Sequence, residues 1–202
     1  MKYTKIRVEF KEFPKRLYRE MYVRSDISLY KLGVCILCSV KATFEHYFLF
    51  QDSVRDYVPK DFEELYKKQV YMTNYHLKDV CLNNKKQFFL VYDTGDYYEF
   101  TITVLEEVEL EKKRKLSFII SGAGDRIWED NIYTLYAYLN GKLKDEFTEE
   151  DVENGYSMPW NVPGTYVFSD FDRPYFVKQE NNRTSRYINF ALKELKKNGV
   201  NY

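Results

Sequence analysis

Residues 87–104, QFFLVYDTGDYYEFTITV, carry the pattern that most restricts what this chain can fold into. Tyr98, Phe100, Ile102 and Val104 alternate with Tyr97, Glu99, Thr101 and Thr103, the period of a strand with one buried and one wet face. Ahead of them, Phe88, Leu90 and Tyr92 interleave with Phe89 and Val91. That strand is apolar on both sides, which predicts a central place in its sheet. Asp93-Thr94-Gly95-Asp96 joins the two as a hairpin turn. Gly95 is expected to take a positive φ, and either aspartate can hydrogen-bond the turn backbone. The aspartates read first as turn-formers; the alternative is that they project into a binding surface beside the sheet.

With 45% hydrophobic residues, a 202-residue chain can bury a full core. Aromatic residues make up 18%, led by 20 tyrosines, a side chain suited to half-buried strand faces and interfaces. Lys+Arg and Asp+Glu both number 31, and this balance argues against bulk attraction to nucleic acid or anionic membrane, though not against a local patch. MKYTKIRVEF has no apolar core of a signal peptide, and no apolar run approaches a bilayer span. A soluble, cytoplasmic chain with no membrane partner is expected. Three cysteines do not suggest a disulfide scaffold.

Residues 2–10 and 16–24 are predicted to pair as a first hairpin. One side of its first strand carries Ile6, Val8 and Phe10, the other Lys5, Arg7, Glu9 and Lys11. In the second strand Arg19 shares a side with Leu17, Met21 and Val23, opposite Tyr18, Glu20, Tyr22 and Arg24. Lys5, Arg7, Arg19 and Arg24 are the candidate nucleic-acid residues, with rings to stack on and cations for phosphate. A helix over about 29–41 follows, too apolar for a surface position, so the sheet should cover it. Its Cys35-x-x-Cys38 lies mid-helix among aliphatics, which reads as buried structural cysteine. A zinc site would have to draw on Cys81, His46 and His76. His46 opens a short strand, 46–50, and reads as a hydrogen-bonded strand-end histidine.

A short helix from Asp61 to about Gln69 is expected, then irregular chain with one helical turn near Leu77–Cys81. Leu116–Ile120 reads as a strand and leads into Ser121-Gly-Ala-Gly-Asp125. That GxG lacks the rest of any phosphate-binding fingerprint. Asn131 to Asn140 is a helix stopped by Gly141. Thr148-Glu-Glu-Asp151 is a helix start, Thr165–Phe168 and Tyr175–Lys178 are short strands, and 184–197 is an amphipathic helix. Ile188, Ala191, Leu192 and Leu195 form its apolar stripe, which needs the main domain or a second chain to cover it.

HYFLF at 46–50, YDTGDYYEFTITV at 92–104 and GAGDRIWEDN at 122–131 resemble, in that order, the signature segments of the plasmid Orf-three-like family. That family takes its name from a pRiA-type plasmid and includes insertion-element passenger proteins of TnpR-like type. The resemblance covers about residues 2–145 and implies an α+β fold in a mobile-element setting, with no activity attached. It marks His46, Tyr92, Asp93, Gly95, Asp96, Glu99, Asp125, Glu129 and Asp130 as the signature surface. Tyr98 and Phe100 stand where the family usually has tryptophan and histidine.

The fold expected is α+β: a mixed, mainly antiparallel sheet on an apolar helix. A main domain of residues 1–145 would carry a helical extension over 146–202. Three functions are open. The first is a non-enzymatic interaction module, bound to a protein partner or to itself. The second is nucleic-acid binding through the amino-terminal sheet face and the basic terminal helix. The third is a divalent-metal-dependent hydrolase using Asp93, Asp96, Asp125, Glu129 and Asp130. No histidine or lysine is tied to those acids by sequence, so no catalytic residue, metal ligand or cofactor is assigned.

Overall fold

A computed structural model describes residues 1–60, 65–81, 87–110, 115–143, 148–157, 177–197 and 199. In chain order the elements are β1 (Lys2–Phe10), β2 (Tyr18–Arg24), α1 (Leu29–Ser39), β3 (Phe48–Gln51), β4 (Asp56–Val58) and β5 (Gln69–Tyr71). A 3-10 turn (Met72–Asn74) leads to α2 (Leu77–Cys81), β6 (Gln87–Tyr92), β7 (Tyr98–Glu109) and β8 (Ser117–Ala123). Then come α3 (Ile132–Leu139), α4 (Glu149–Glu153) and α5 (Val177–Lys197).

The strands form one sheet in the order β5-β4-β3-β6-β7-β1-β2-β8, antiparallel except for the β4–β5 pair. This is the α+β architecture the residue patterns imply. β6, apolar on both faces, is central between β3 and β7. Against β1, β7 carries one extra residue: Lys5 pairs with Glu106 and Ile6 with Val104, so Leu105 bulges outward and is 40% exposed. No described helix is long and apolar enough to cross a membrane.

α1 starts at Ser28, whose hydroxyl accepts from the Lys31 amide. All its residues except Lys31 are buried, because β3 and α5 cover it from different sides. Cys35 and Cys38 lie within this buried face, and burial pushes the Cys35 thiol up to about 12 and Cys38 higher. Gly33 fixes how closely the helix approaches the sheet. A Cβ there would sit 2.1 Å from Phe48 Cε2. Alanine at a helix interior normally gains about 1 kcal/mol over glycine, but here the ring must move in a full core. Gly33→Ala is therefore expected to lose about 1–3 kcal/mol, and urea unfolding measures it.

α5 is docked rather than appended. It begins at Val177, seven residues ahead of the expected start, so Val177 and Lys178 are helical and not part of a strand. Ile188 and Ala191 are buried, with Leu192 and Leu195 against the same core. At the edge strand β8, Asn181 mimics a neighbouring strand. Its side chain accepts from the Ile119 amide at 2.6 Å and donates to the Ile119 carbonyl at 2.7 Å. That satisfies part of an edge that would otherwise stand open.

Two local expectations are corrected, and a third lies outside the described residues. Residues 65–68 are not helical and Gln69 opens a strand, while 61–64 lie outside the described residues. The strand expected at 165–168 also lies outside them. In the hairpin turn, positive φ falls on Asp93 (56°) and Tyr97 (63°), not on Gly95. Glycine is needed there for space: a Cβ would lie 3.2 Å from the Asp93 Oδ1 that caps the turn.

Candidate functional site

Antiparallel pairing brings the site together. Phe48 of β3 lies opposite Tyr92 of β6, so the residues just before β3 meet those just after β6. The Asp93 amide donates to the Tyr47 carbonyl at 3.0 Å. His46, a strand-end histidine by residue pattern and a signature residue by family resemblance, is thereby carried to the acids. Its Nε2 lies 2.8 Å from Asp130 Oδ1 and 3.6 Å from Asp93 Oδ2.

The third contributor, the segment between β8 and α3, is held by Tyr98. Its buried hydroxyl bonds the Trp128 carbonyl and accepts from the Asn131 amide at 3.3 Å. Asn131 makes no side-chain cap for α3. Asp96 supplies one from the hairpin, accepting from the Ile132 amide at 3.2 Å.

Glu129 braces the loops from below. It is fully buried, and its carboxylate accepts from the Thr43 amide at 2.8 Å and lies 3.1 Å from the Tyr92 hydroxyl. Burial raises its pKa above the ordinary glutamate value. The Tyr92 and Tyr98 hydroxyls are pushed up for the same reason.

Backbone conformation marks the same place. Among the described residues, six other than glycine have positive φ, and four of them lie in or next to the segments that build this site: Phe44, Asp93, Tyr97 and Asp130. Side chains at positive φ are costly, and such residues gather where function or tight packing holds them. Asp93 is stabilised there by accepting from the Gly95 and Asp96 amides at 2.9 and 3.3 Å.

The outcome is one imidazole and two carboxylates, His46, Asp93 and Asp130, each offering a ligand atom within 4.8 Å of the others. Exposure is graded across them: the Asp93 side chain is 8% exposed, His46 32% and Asp130 51%. A nitrogen and two oxygens converging on one point, open on one side, is a donor set for a divalent first-row cation.

Of the other signature residues, Tyr92, Gly95, Asp96 and Glu129 support this centre. Asp125 is occupied elsewhere, between Lys41 and Arg126. Glu99 points from β7 to Lys11 at 2.8 Å.

The proposed nucleic-acid face changes character. Lys5 lies 3.8 Å from Glu20 and 3.9 Å from Glu106. Arg7 pairs with Glu9 and Glu20 at 2.9 Å each and covers the Tyr18 ring. Arg24 pairs with Asp26 at 2.6 Å. Arg19 is not on a surface at all: it is fully buried, with its guanidinium spent on main-chain carbonyls.

Among solved structures, the chain resembles a protein of unknown function from Methanosarcina mazei Go1. The TM-score is 0.69 at 15% identity, covering 89% of this chain and 96% of the other. At that identity the likeness speaks for the fold alone. No curated protein matches. The model of the plasmid pRiA4b ORF-3-like proteins matches residues 2–173, past the last signature segment and over most of the chain, and the chain belongs to that family.

Proposed function

We propose that this chain is a binding protein whose signature site takes a divalent cation, with His46, Asp93 and Asp130 as ligands. The observation that carries the reading is the convergence of the three ligand atoms within 4.8 Å, from segments far apart in sequence. Mixed imidazole and carboxylate donors suit zinc or manganese better than magnesium. Glu129, Tyr92 and Tyr98 hold the contributing loops in place, as supporting partners do in metal sites. Exposed tyrosines lie close in sequence to each ligand: Tyr47 (59%), Tyr97 (46%) and Tyr133 (80%). They offer rigid aromatic contact area to a protein partner or a second copy of the chain. The cation would tie the three loops and present its open positions on that surface.

The test is thermal unfolding of chelator-treated protein with zinc, manganese or magnesium added back. A hundredfold excess over Kd adds about 2.7 kcal/mol, roughly 5–10 °C for a chain of this size. Zinc or manganese is expected to give a shift of that order in the native protein. His46→Ala and Asp130→Asn should abolish it while keeping a cooperative transition. A shift that survives both substitutions, or no shift with any ion, overturns the proposal.

A further inference from the structure

A second concave surface lies across the same loop that carries His46. On α5, Arg183, Arg186, Tyr187 and Phe190 are spaced to share one helical face. They line an open groove of about 510 Å³ together with Lys41, from the loop after α1, and Arg126, from the segment after β8. Tyr187 fixes the two sides by donating to the Ala42 carbonyl at 2.7 Å. Among the described lining residues none is acidic.

The positive charge is only partly compensated. Lys41 and Arg126 both pair with Asp125, and Glu180 lies within electrostatic reach of Arg126 and Arg19. Arg183 pairs with Glu180, its neighbour on the helix. The buried Arg19 also acts on this region, and burial together with its repulsion lowers the Arg183 pKa to about 10. Arg186 is exposed on the same face. The amino-terminal sheet differs, since each of its half-buried candidate cations has a carboxylate beside it. Next to the arginines, Phe190 is 58% exposed, an apolar ring in a cationic groove.

We infer that this groove binds single-stranded nucleic acid, with phosphates on Arg126, Arg183 and Arg186 and a base stacked on Phe190. Arginine forks match phosphate oxygens, and an exposed ring can stack an unpaired base of any identity. The groove is open, so a strand can run through it. A duplex keeps its base faces stacked inside and has nothing to offer Phe190.

Fluorescence anisotropy with an oligothymidylate of about 12 nucleotides tests this, since single-strand sites span about 4–16 nucleotides. Native protein should bind with an affinity that falls with salt, by about 0.7 in log–log slope per phosphate contact. Arg186→Glu is expected to weaken binding about tenfold or more and to reduce that slope. Phe190→Ala should weaken it about fivefold or more with the slope unchanged, because stacking carries no charge. Lys193→Glu, on the same helix but outside the groove, should stay within about twofold and so controls for net charge.

Thermal unfolding of each variant confirms that it is folded. No binding at low salt, equal binding by the Arg186 and Phe190 variants, or preference for a duplex overturns the assignment. Complete displacement by inorganic phosphate does so too, leaving only a general phosphate pocket. His46→Ala should bind the strand as the native protein does, so this inference and the cation site fail or stand separately.

Discussion

Arg19→Met is expected to lower the unfolding free energy by about 3–5 kcal/mol, since it strips the donor from several buried carbonyls, each costing about 1–3 kcal/mol when left unpaired. The guanidinium donates to four carbonyls: Ser39 at 3.0 Å, Tyr18 at 2.8 Å, Ala123 at 2.7 Å and Asp125 at 2.9 Å. Ser39 ends α1, where carbonyls lack helical partners and the dipole favours a cation. Ala123 ends β8 and Asp125 follows it, so one side chain ties the helix terminus to the sheet edge and the next loop. Methionine fills much of the volume and satisfies none of the acceptors. Lysine keeps the charge but cannot reproduce the planar fork. Chemical denaturation should rank the native protein first, then Arg19→Lys, then Arg19→Met. Arg7→Met, on the opposite face, should cost no more than about 1 kcal/mol, as an exposed ion pair does. A loss at Arg19 no larger than that at Arg7 would refute the assigned role.

Arg19 also shows where the sequence was legible and where it was not. Period-2 alternation placed it beside Leu17, Met21 and Val23, and that side is the core. Counting it with the basic face ignored its own strand pattern, because a buried arginine is rare without a visible partner. Its partners are main-chain carbonyls, which no sequence pattern displays. The long elements behaved differently. β1, β2, β6, β7, α1 and α3 each carry enough periodic residues to declare themselves, and α4 starts where expected, with Thr148 and Asp151 forming a capping box. β4 and β5 span three residues each and exist only through pairing, so nothing local could announce them. The site had the same limit. Family resemblance marks His46, Asp93, Glu129 and Asp130 alike, but that His46 meets the acids follows only from Phe48 facing Tyr92 across the sheet.

Glu129→Ala should remove about 2–4 kcal/mol, since it strips the acceptor from two donors, each costing about 1–3 kcal/mol when left unpaired. Those donors are the Thr43 amide and the buried Tyr92 hydroxyl, one from the loop that carries His46 and one beside Asp93. Cation-dependent stabilisation should therefore weaken along with the fold.

Glu129→Gln keeps the volume and separates packing from charge. Burial raises the folded pKa of Glu129 above its ordinary value of 4.5, so the folded protein holds the proton more tightly than the unfolded chain. That contribution is complete below about 4.5 and is lost as pH rises through the folded value. Glutamine has no proton to lose. Unfolding measured across this range should show a shallower fall in stability for Glu129→Gln than for the native protein, the remainder including Glu180, which burial shifts the same way. A bound divalent cation at His46, Asp93 and Asp130 would favour the ionised carboxylate and flatten the native slope. If zinc or manganese leaves that slope unchanged, the buried acid and the surface cluster are not one electrostatic unit.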